Sequence, residues 1–249
     1  GLGQVKVTVG ERLSYEEERI CTLTASEGAK EVFDPLAVMV VENEEAQPVI
    51  TPVHGWDDSL FLRGKAPMTK QEVRALAISK LRPEADHIVY DIGTGTGSCS
   101  VELAFQVPYG KVYGFEINEE AASLAEANME RFNACNLEII RGNALEKIVN
   151  MPCPDRVFIG GTKGNLKEIL DILYKKNAYC RIVITAITLE TAGAVTAYYK
   201  EHTDYELETT QLFASEGRRV GPYTLMEGHN PVYVMTAYCK EAEYEGQSK

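Results

Sequence analysis

The stretch VYDIGTGTGSCS, Val89–Ser100, sets three glycines at alternate positions behind an aspartate. The apolar run HIVYDI leads into it, and SCSVELAFQV, with helix-like spacing, leads out and stops before Pro108. A strand, a glycine turn and a helix bring backbone close to a ligand. A phosphate-binding P-loop needs G-x-x-x-x-G-K-[ST], and no lysine follows these glycines. A dinucleotide fingerprint needs G-x-G-x-x-G. Gly93 and Gly95 fit it, but Ser98 holds the third position and Gly97 stands one place early. The dinucleotide reading is weakened, not removed.

Outward from the loop, apolar runs alternate with helical patterns. KVYGFE, LEIIRGNA, RVFIGG and CRIVITAI read as further strands. NEEAASLAEANMERFN opens on Asn118 as an N-cap with two acids in its first turn, where the helix dipole favours them. KGNLKEILDILYKK reads as another helix. This order predicts an α/β fold, a parallel sheet with helices on both faces. Two later strand-like runs, YELETTQLFAS and PVYVMTAYC, are joined by Glu216–Asn230, which reads as a mobile loop. Residues 1 to about 42 carry three strand-like runs and a short helix-like stretch around Ala25–Val32, too little to bury a stable core alone. The two prolines, the glycine and the acids of ENEEAQPVITPVHGWDD read as a linker. The expected boundaries are 1–47 for the first piece, 48–60 for the linker, 61–240 for the main domain and 241–249 for a frayed tail.

The 249 residues are 45% hydrophobic and 25% charged, with a net charge of −12. That charge disfavours a nucleic-acid partner, whose binding rests on phosphate neutralisation. No apolar run approaches the ~18 residues of a membrane span, and no secretory leader is visible. The first residue is Gly1, not Met, so the natural start is expected to lie upstream. The six cysteines form no C-x-x-C, and the four histidines have no ligand spacing. No metal site and no disulfide framework is expected; the cysteines read as reduced core thiols of a cytoplasmic protein.

A third reading of the loop is the S-adenosylmethionine turn of the Rossmann-like methyltransferases, an acid followed by G-x-G-x-G. No pyrophosphate has to be held. A methionine tail must lie against the backbone, where side chains at the glycine positions would block it. Glu116, 23 residues after Gly93 at the end of KVYGFE, is placed to accept from both ribose hydroxyls. Asn143 and Ala144 fall beside the adenine; an Asp is common at the Asn position, and an amide oxygen can still accept from the adenine amino group.

APMTKQEVRAL, DIGTGTGSCSVELA, VFIGGTKGNLKEIL, VITAITLETA and NPVYVM stand in an order and spacing that resembles the decarboxylating C15 methyltransferases of the cobalamin pathway. The resemblance covers about Trp56 to Lys240. It implies a class I, Rossmann-like S-adenosylmethionine-dependent methyltransferase with a seven-stranded, mostly parallel sheet. It implies methyl transfer to C15 of a precorrin or cobalt-precorrin intermediate, with loss of carbon dioxide from the ring C acetate, in a cytoplasmic homotetramer. The cofactor residues it implies are Thr69, Asp91, Gly93, Thr94, Gly95, Thr96, Gly97, Glu116, Asn143, Ala144 and Gly160. The N-terminal stretches VTVGERLSYEEERICTLTASE and FDPLAVMVVEN resemble the last strands of the C5 methyltransferase domain of the same pathway. A small remnant of a second α/β domain is therefore expected, with the rest of the C5 domain as a missing partner.

The intermediates carry many carboxylates, so a local basic surface is needed on an acidic protein. Arg63, Lys65, Lys70, Arg74, Lys80 and Arg82 face only one acid, Glu72, across Arg63–Arg82. Lys70 and Arg74 there, with Arg218 and Arg219 in the late loop, are the candidate substrate residues. Thr69 and Glu72 also have the form of a capping box. No catalytic base is identified; Glu72 and Tyr223 are unsupported options. NPVY, Asn230–Tyr233, is like the N-P-P-Y loop of nitrogen methyltransferases but opens the last strand instead of following the fourth. The alternatives left open are a non-catalytic cofactor-binding module and a methyltransferase for another small molecule.

Overall fold

The computed structural model describes residues 2–44 and 53–241, which divide into two units, Gly1–Thr51 and Pro52–Lys249. In the first unit, β1 (Lys6–Glu11) pairs antiparallel with both β2 (Arg19–Thr24) and β3 (Ala37–Glu42), in the order β2-β1-β3. The helical stretch expected over Ala25–Val32 is a single turn, α1 (Ala25–Gly28), capped by Thr24 and Glu27 reciprocally. Val7 and Val9 are buried, while every residue of β3 is exposed.

The second unit contains α2 (Gln71–Leu81), β4 (Ile88–Ile92), α3 (Ser98–Gln106), β5 (Lys111–Glu116), α4 (Glu119–Arg131) and β6 (Leu137–Arg141). There follow α5 (Ala144–Lys147), β7 (Arg156–Ile159), α6 (Leu166–Lys176), β8 (Arg181–Ala186) and α7 (Leu189–Glu201). The chain closes with β9 (Tyr205–Leu212), β10 (Ser215–Val220), β11 (Tyr223–Gly228) and β12 (Val232–Cys239). The seven-stranded sheet runs β6-β5-β4-β7-β8-β12-β9, and β12 alone is reversed. Both faces are covered, as a parallel sheet requires. Val89, Val112, Phe158 and Val183 pack on one face with α2 and α3. Tyr90, Ile92, Ile159 and Ile184 pack on the other with α6 and α7. The strand order turns around between β4 and β7, the place where open α/β sheets open a crevice.

Several expectations are corrected. The linker does not extend to residue 60. Residues 48–52 lie outside the described residues, but Trp56 is buried against Phe61, Phe105 and Phe132 inside the second unit. Glu216–Asn230 is not a bare loop: β10 and β11 form an antiparallel hairpin around Gly221 and Pro222. Two of the cysteines, Cys135 and Cys153, are exposed, not core thiols. The expected frayed tail, 241–249, lies outside the described residues except for Glu241.

Candidate functional site

The C-terminal ends of β4, β5, β6, β7 and β8 open into one cavity of about 820 Å³. The segment Lys65–Lys70, before α2, forms a lip on it, and Val232 of β12 reaches it from the far side. The cavity therefore follows the sheet order from β6 across the turn-around to β12.

The glycine loop is fixed by the protein's own packing. Gly93, Gly95 and Gly97 have φ of +78°, +56° and +78°, a region that favours glycine. A Cβ on Gly93 would stand 2.6 Å from the Gly161 carbonyl oxygen, and one on Gly95 2.6 Å from that of Pro67. At Gly97 it would meet Cα of Ala125 on α4 at 3.0 Å. The glycines are thus demanded by backbone neighbours within the chain, before any ligand enters. That is a different reason from the open tail channel expected from the sequence.

Asp91 is fully buried beneath the loop. Its Oδ2 accepts from Thr94 Oγ1 at 2.9 Å and Ser100 Oγ at 2.5 Å, and Oδ1 has no partner among the described residues. Burial pushes its carboxyl up to about 6, against the opposing hydrogen bonds from Ser100 and Thr94. Glu116 is held at the cavity edge by two backbone donors: Gly95 N–H to Oε2 and Asn118 N–H to Oε1, each at 2.9 Å. Asn143 caps α5, with Oδ1 accepting from Leu145 N–H at 3.1 Å. The expected cap at Asn118 is present, its Oδ1 accepting from Ala121 N–H.

Of the residues expected at the cofactor, Thr69, Gly93, Thr94, Gly95, Glu116, Asn143, Ala144 and Gly160 line the cavity, as does Lys70. Asp91, Thr96 and Gly97 do not. All three are buried behind the loop. Thr96 is buried, and its carbonyl accepts from Asn128 Nδ2 at 2.8 Å. Sequence reasoning missed Asn128, whose amide also receives Leu62 N–H at 2.7 Å and so joins α4, the loop and the residue-62 segment. It also missed Thr162, Lys163, Thr185 and Thr188 in the lining, where Lys65 of the basic stretch also lies.

Arg74 is corrected outright. Its side chain is 0% exposed. It donates to Glu102 Oε1 at 2.5 Å, Asp58 Oδ1 at 3.1 Å, and the carbonyls of Trp56 at 2.5 Å and Thr69 at 2.6 Å. Burial lowers its pKa, but the Glu102 carboxylate, with a smaller part from Asp58, holds it above the ordinary value. Four of its five N–H donors are used within the protein and the side chain is fully buried, so it does not face a substrate carboxylate. Glu102 accepts Gly55 and Trp56 N–H as well, so this pair stitches the entering chain to the cavity lip. The capping box at Thr69 is absent: Lys70 is the N-cap of α2, without a side-chain cap bond. Arg218 and Arg219 lie on the exposed hairpin, away from the cavity lining, and Arg218 stands 3.7 Å from Glu227.

The fit to S-adenosylmethionine is tested by what the loop can hold. A dinucleotide would put its pyrophosphate at the start of α3. Ser98, Cys99, Ser100 and Val101, the first turn of α3, are all buried and outside the cavity lining. The cavity instead offers a fixed carboxylate, Glu116, between a glycine turn and an amide, Asn143. This arrangement suits a neutral-sided nucleoside with a diol.

A family model described as "Precorrin methyltransferase domain" matches residues 60–238. The chain is 40% identical over 196 residues to a protein of Pyrobaculum calidifontis named probable cobalt-precorrin-6B C(15)-methyltransferase (decarboxylating), covering 77% of this chain and 98% of that one. Among solved structures, a precorrin-6Y C5,15-methyltransferase of Geobacter metallireducens superposes with a TM-score of 0.71 at 36% identity, over 76% of this chain and 98% of that one. A precorrin 8w decarboxylase of Methanobacterium thermoautotrophicum does so with a TM-score of 0.68 at 32% identity, over 73% and 98%. With its sheet order, its glycine turn and a family match across nearly the whole second unit, the chain belongs to the precorrin methyltransferase family.

Proposed function

We propose that this chain transfers a methyl group from S-adenosylmethionine to C15 of a precorrin or cobalt-precorrin macrocycle, with loss of the ring C acetate carboxylate as carbon dioxide. The observation that carries the reading is Glu116, fixed by two backbone donors beside the glycine turn and Asn143 in a chain of this family. Bound there, S-adenosylmethionine supplies an electrophilic methyl group. Glu116 keeps lone pairs for the two ribose hydroxyls, and Asn143 keeps Nδ2 and one lone pair of Oδ1 for the adenine edge. Thr69, Gly93, Thr94, Gly95, Ala144 and Gly160 line the same volume. The remaining task of the protein is positioning.

Lys65 and Lys163 line the cavity and replace Arg74, Arg218 and Arg219 as candidate partners for the peripheral carboxylates, while Lys70, also in the lining, stands 3.5 Å from Asp58 Oδ2. The same reading makes the protein a cytoplasmic homotetramer. The exposed Tyr223, Leu225 and Met226 of the hairpin support self-association, which sedimentation velocity measures; a monomer at assay concentration would refute it. We further read the three-stranded first unit as part of a C5-type domain. The exposed Val38, Met39, Val40 and Val41 of β3 support a partner for it of that kind.

Calorimetry with S-adenosylhomocysteine and with NAD, on wild type and Glu116→Ala, tests the cofactor assignment. Binding of the first alone, weakened about tenfold or more by the substitution, is expected. NAD binding would sink it. Methyl transfer to cobalt-precorrin-6B with release of carbon dioxide then tests the substrate.

A further inference from the structure

A second cavity of about 250 Å³ adjoins the first, beyond β8 in the sheet order. The two share Lys70, Val73, Ile187 and Val232. The annex adds Leu212 from the end of β9 and Ala214 just after it, so its walls are aliphatic. Its basic side chains each stand beside an acid. Lys70 Nζ lies 3.5 Å from Asp58 Oδ2, and His229 Nε2 lies 3.6 Å from Glu216 Oε1. Glu72 and Asn230, both exposed, complete the polar part of its lining.

We infer that the annex is the decarboxylation subsite, seating the acetate arm of the macrocycle against Val73, Leu212, Ala214 and Val232 while the methyl acceptor carbon stays in the main cavity. This rests on the proposed reaction. Carbon–carbon cleavage spreads the carboxylate's charge into the conjugated ring. Water and cations stabilise the localised carboxylate more than the dispersed charge, so they retard the step; an aliphatic wall does the reverse. The peripheral carboxylates that are kept belong with Lys65 and Lys163 in the main cavity, and the one that is lost belongs where no cation is free to meet it. In the step, the bond between the acetate methylene and its carboxylate breaks and carbon dioxide leaves. The electron pair enters the macrocycle, and a proton from solvent ends on the methylene carbon, leaving a methyl group.

The test measures methyl transfer and carbon dioxide release in parallel, with cobalt-precorrin-6B as substrate, on wild type and Leu212→Asn. The amide solvates the acetate with the same number of side-chain heavy atoms. Carbon dioxide released per methyl transferred should fall about tenfold, and a methylated product that retains its carboxylate should accumulate. Calorimetry with S-adenosylhomocysteine reports whether the variant is folded. If Leu212→Asn fails there, Ala214→Ser, at a partly exposed position, should move the ratio in the same direction. An unchanged ratio in a variant that binds S-adenosylhomocysteine normally overturns the subsite and leaves the proposed reaction standing. A wild-type protein that neither methylates the macrocycle nor releases carbon dioxide overturns the reaction, and the subsite with it.

Discussion

Around Gly93–Gly97 most of the polar groups are engaged within the protein: Thr94 and Ser100 bond to Asp91, Gly95 N–H to Glu116, and the Thr96 carbonyl to Asn128. Across the cavity, the loop after β7 and the start of α7 present exposed side chains, with Lys163, Ile187 and Leu189 open to solvent. The first half is set by backbone conformation and buried side chains, the second by what the loops happen to carry. A ligand shared by many enzymes of one fold is met by the rigid half; the particular substrate is met by the half that sequence can alter without disturbing the sheet.

The contrast breaks most visibly at Arg74. Arg74→Met leaves the Glu102 carboxylate buried without its partner and should cost about 3–5 kcal/mol in urea unfolding, with a parallel fall in Tm. A loss under about 1 kcal/mol would mean that the lip is not held as described. Next in size is a matched pair of glycines. Gly95→Ala drives a methyl group to 2.6 Å from the Pro67 oxygen at a positive φ, and should cost about 2–3 kcal/mol and most of the S-adenosylhomocysteine affinity. Gly161→Ala, whose Cβ meets nothing within 4 Å, should stay within about 0.5 kcal/mol of wild type. Similar losses in both would erase the distinction between the halves.

Asp91 gives a pH signature. Its carboxyl is raised from 3.8 to about 6 in the folded protein, so between those values the native state holds a proton that the unfolded chain has released. Stability from this group is therefore fullest at the acid end and falls as pH rises through the window, by up to about 3 kcal/mol. Asp91→Asn should remove that slope in urea titrations between pH 4 and 6, and an identical slope in both proteins would place the titration elsewhere. The smallest effect is expected at Lys163. Lys163→Met should raise KM for the macrocycle about fivefold and leave S-adenosylhomocysteine affinity alone. A change in the second and not the first would move Lys163 into the cofactor half.

The parallel sheet, the glycine turn, Glu116 and Asn143 were legible because apolar runs, turn residues and strand-end acids have short-range signatures. That Thr96 and Gly97 are buried behind the loop was not legible, because a motif gives sequence neighbours, not the direction each faces. The error at Arg74 was avoidable. Arg74, Ala77, Ile78 and Leu81 fall on one stripe of a 3.6-residue helix, and all four are buried. A charge count along the chain ignores that period. The hairpin also had its signal, since Gly221-Pro222 separates two runs of equal length. Asn128 and Glu102 carried none, because their partners lie 32 to 66 and 28 to 47 residues away.

The reversed strand β12 sets the order in which the chain can be completed. Among the described residues it alone joins β9 to the sheet, and it follows every other described strand in the chain. As the chain leaves the ribosome, β8 keeps an open edge and β9 has no partner until Val232–Cys239 emerges. Open strand edges invite pairing between chains. The β10–β11 hairpin, whose hydrogen bonds are local, can close within microseconds while the growing chain waits. A chain truncated just before Val232 should therefore aggregate, and one truncated just after Cys239 should have β8 and β9 both paired.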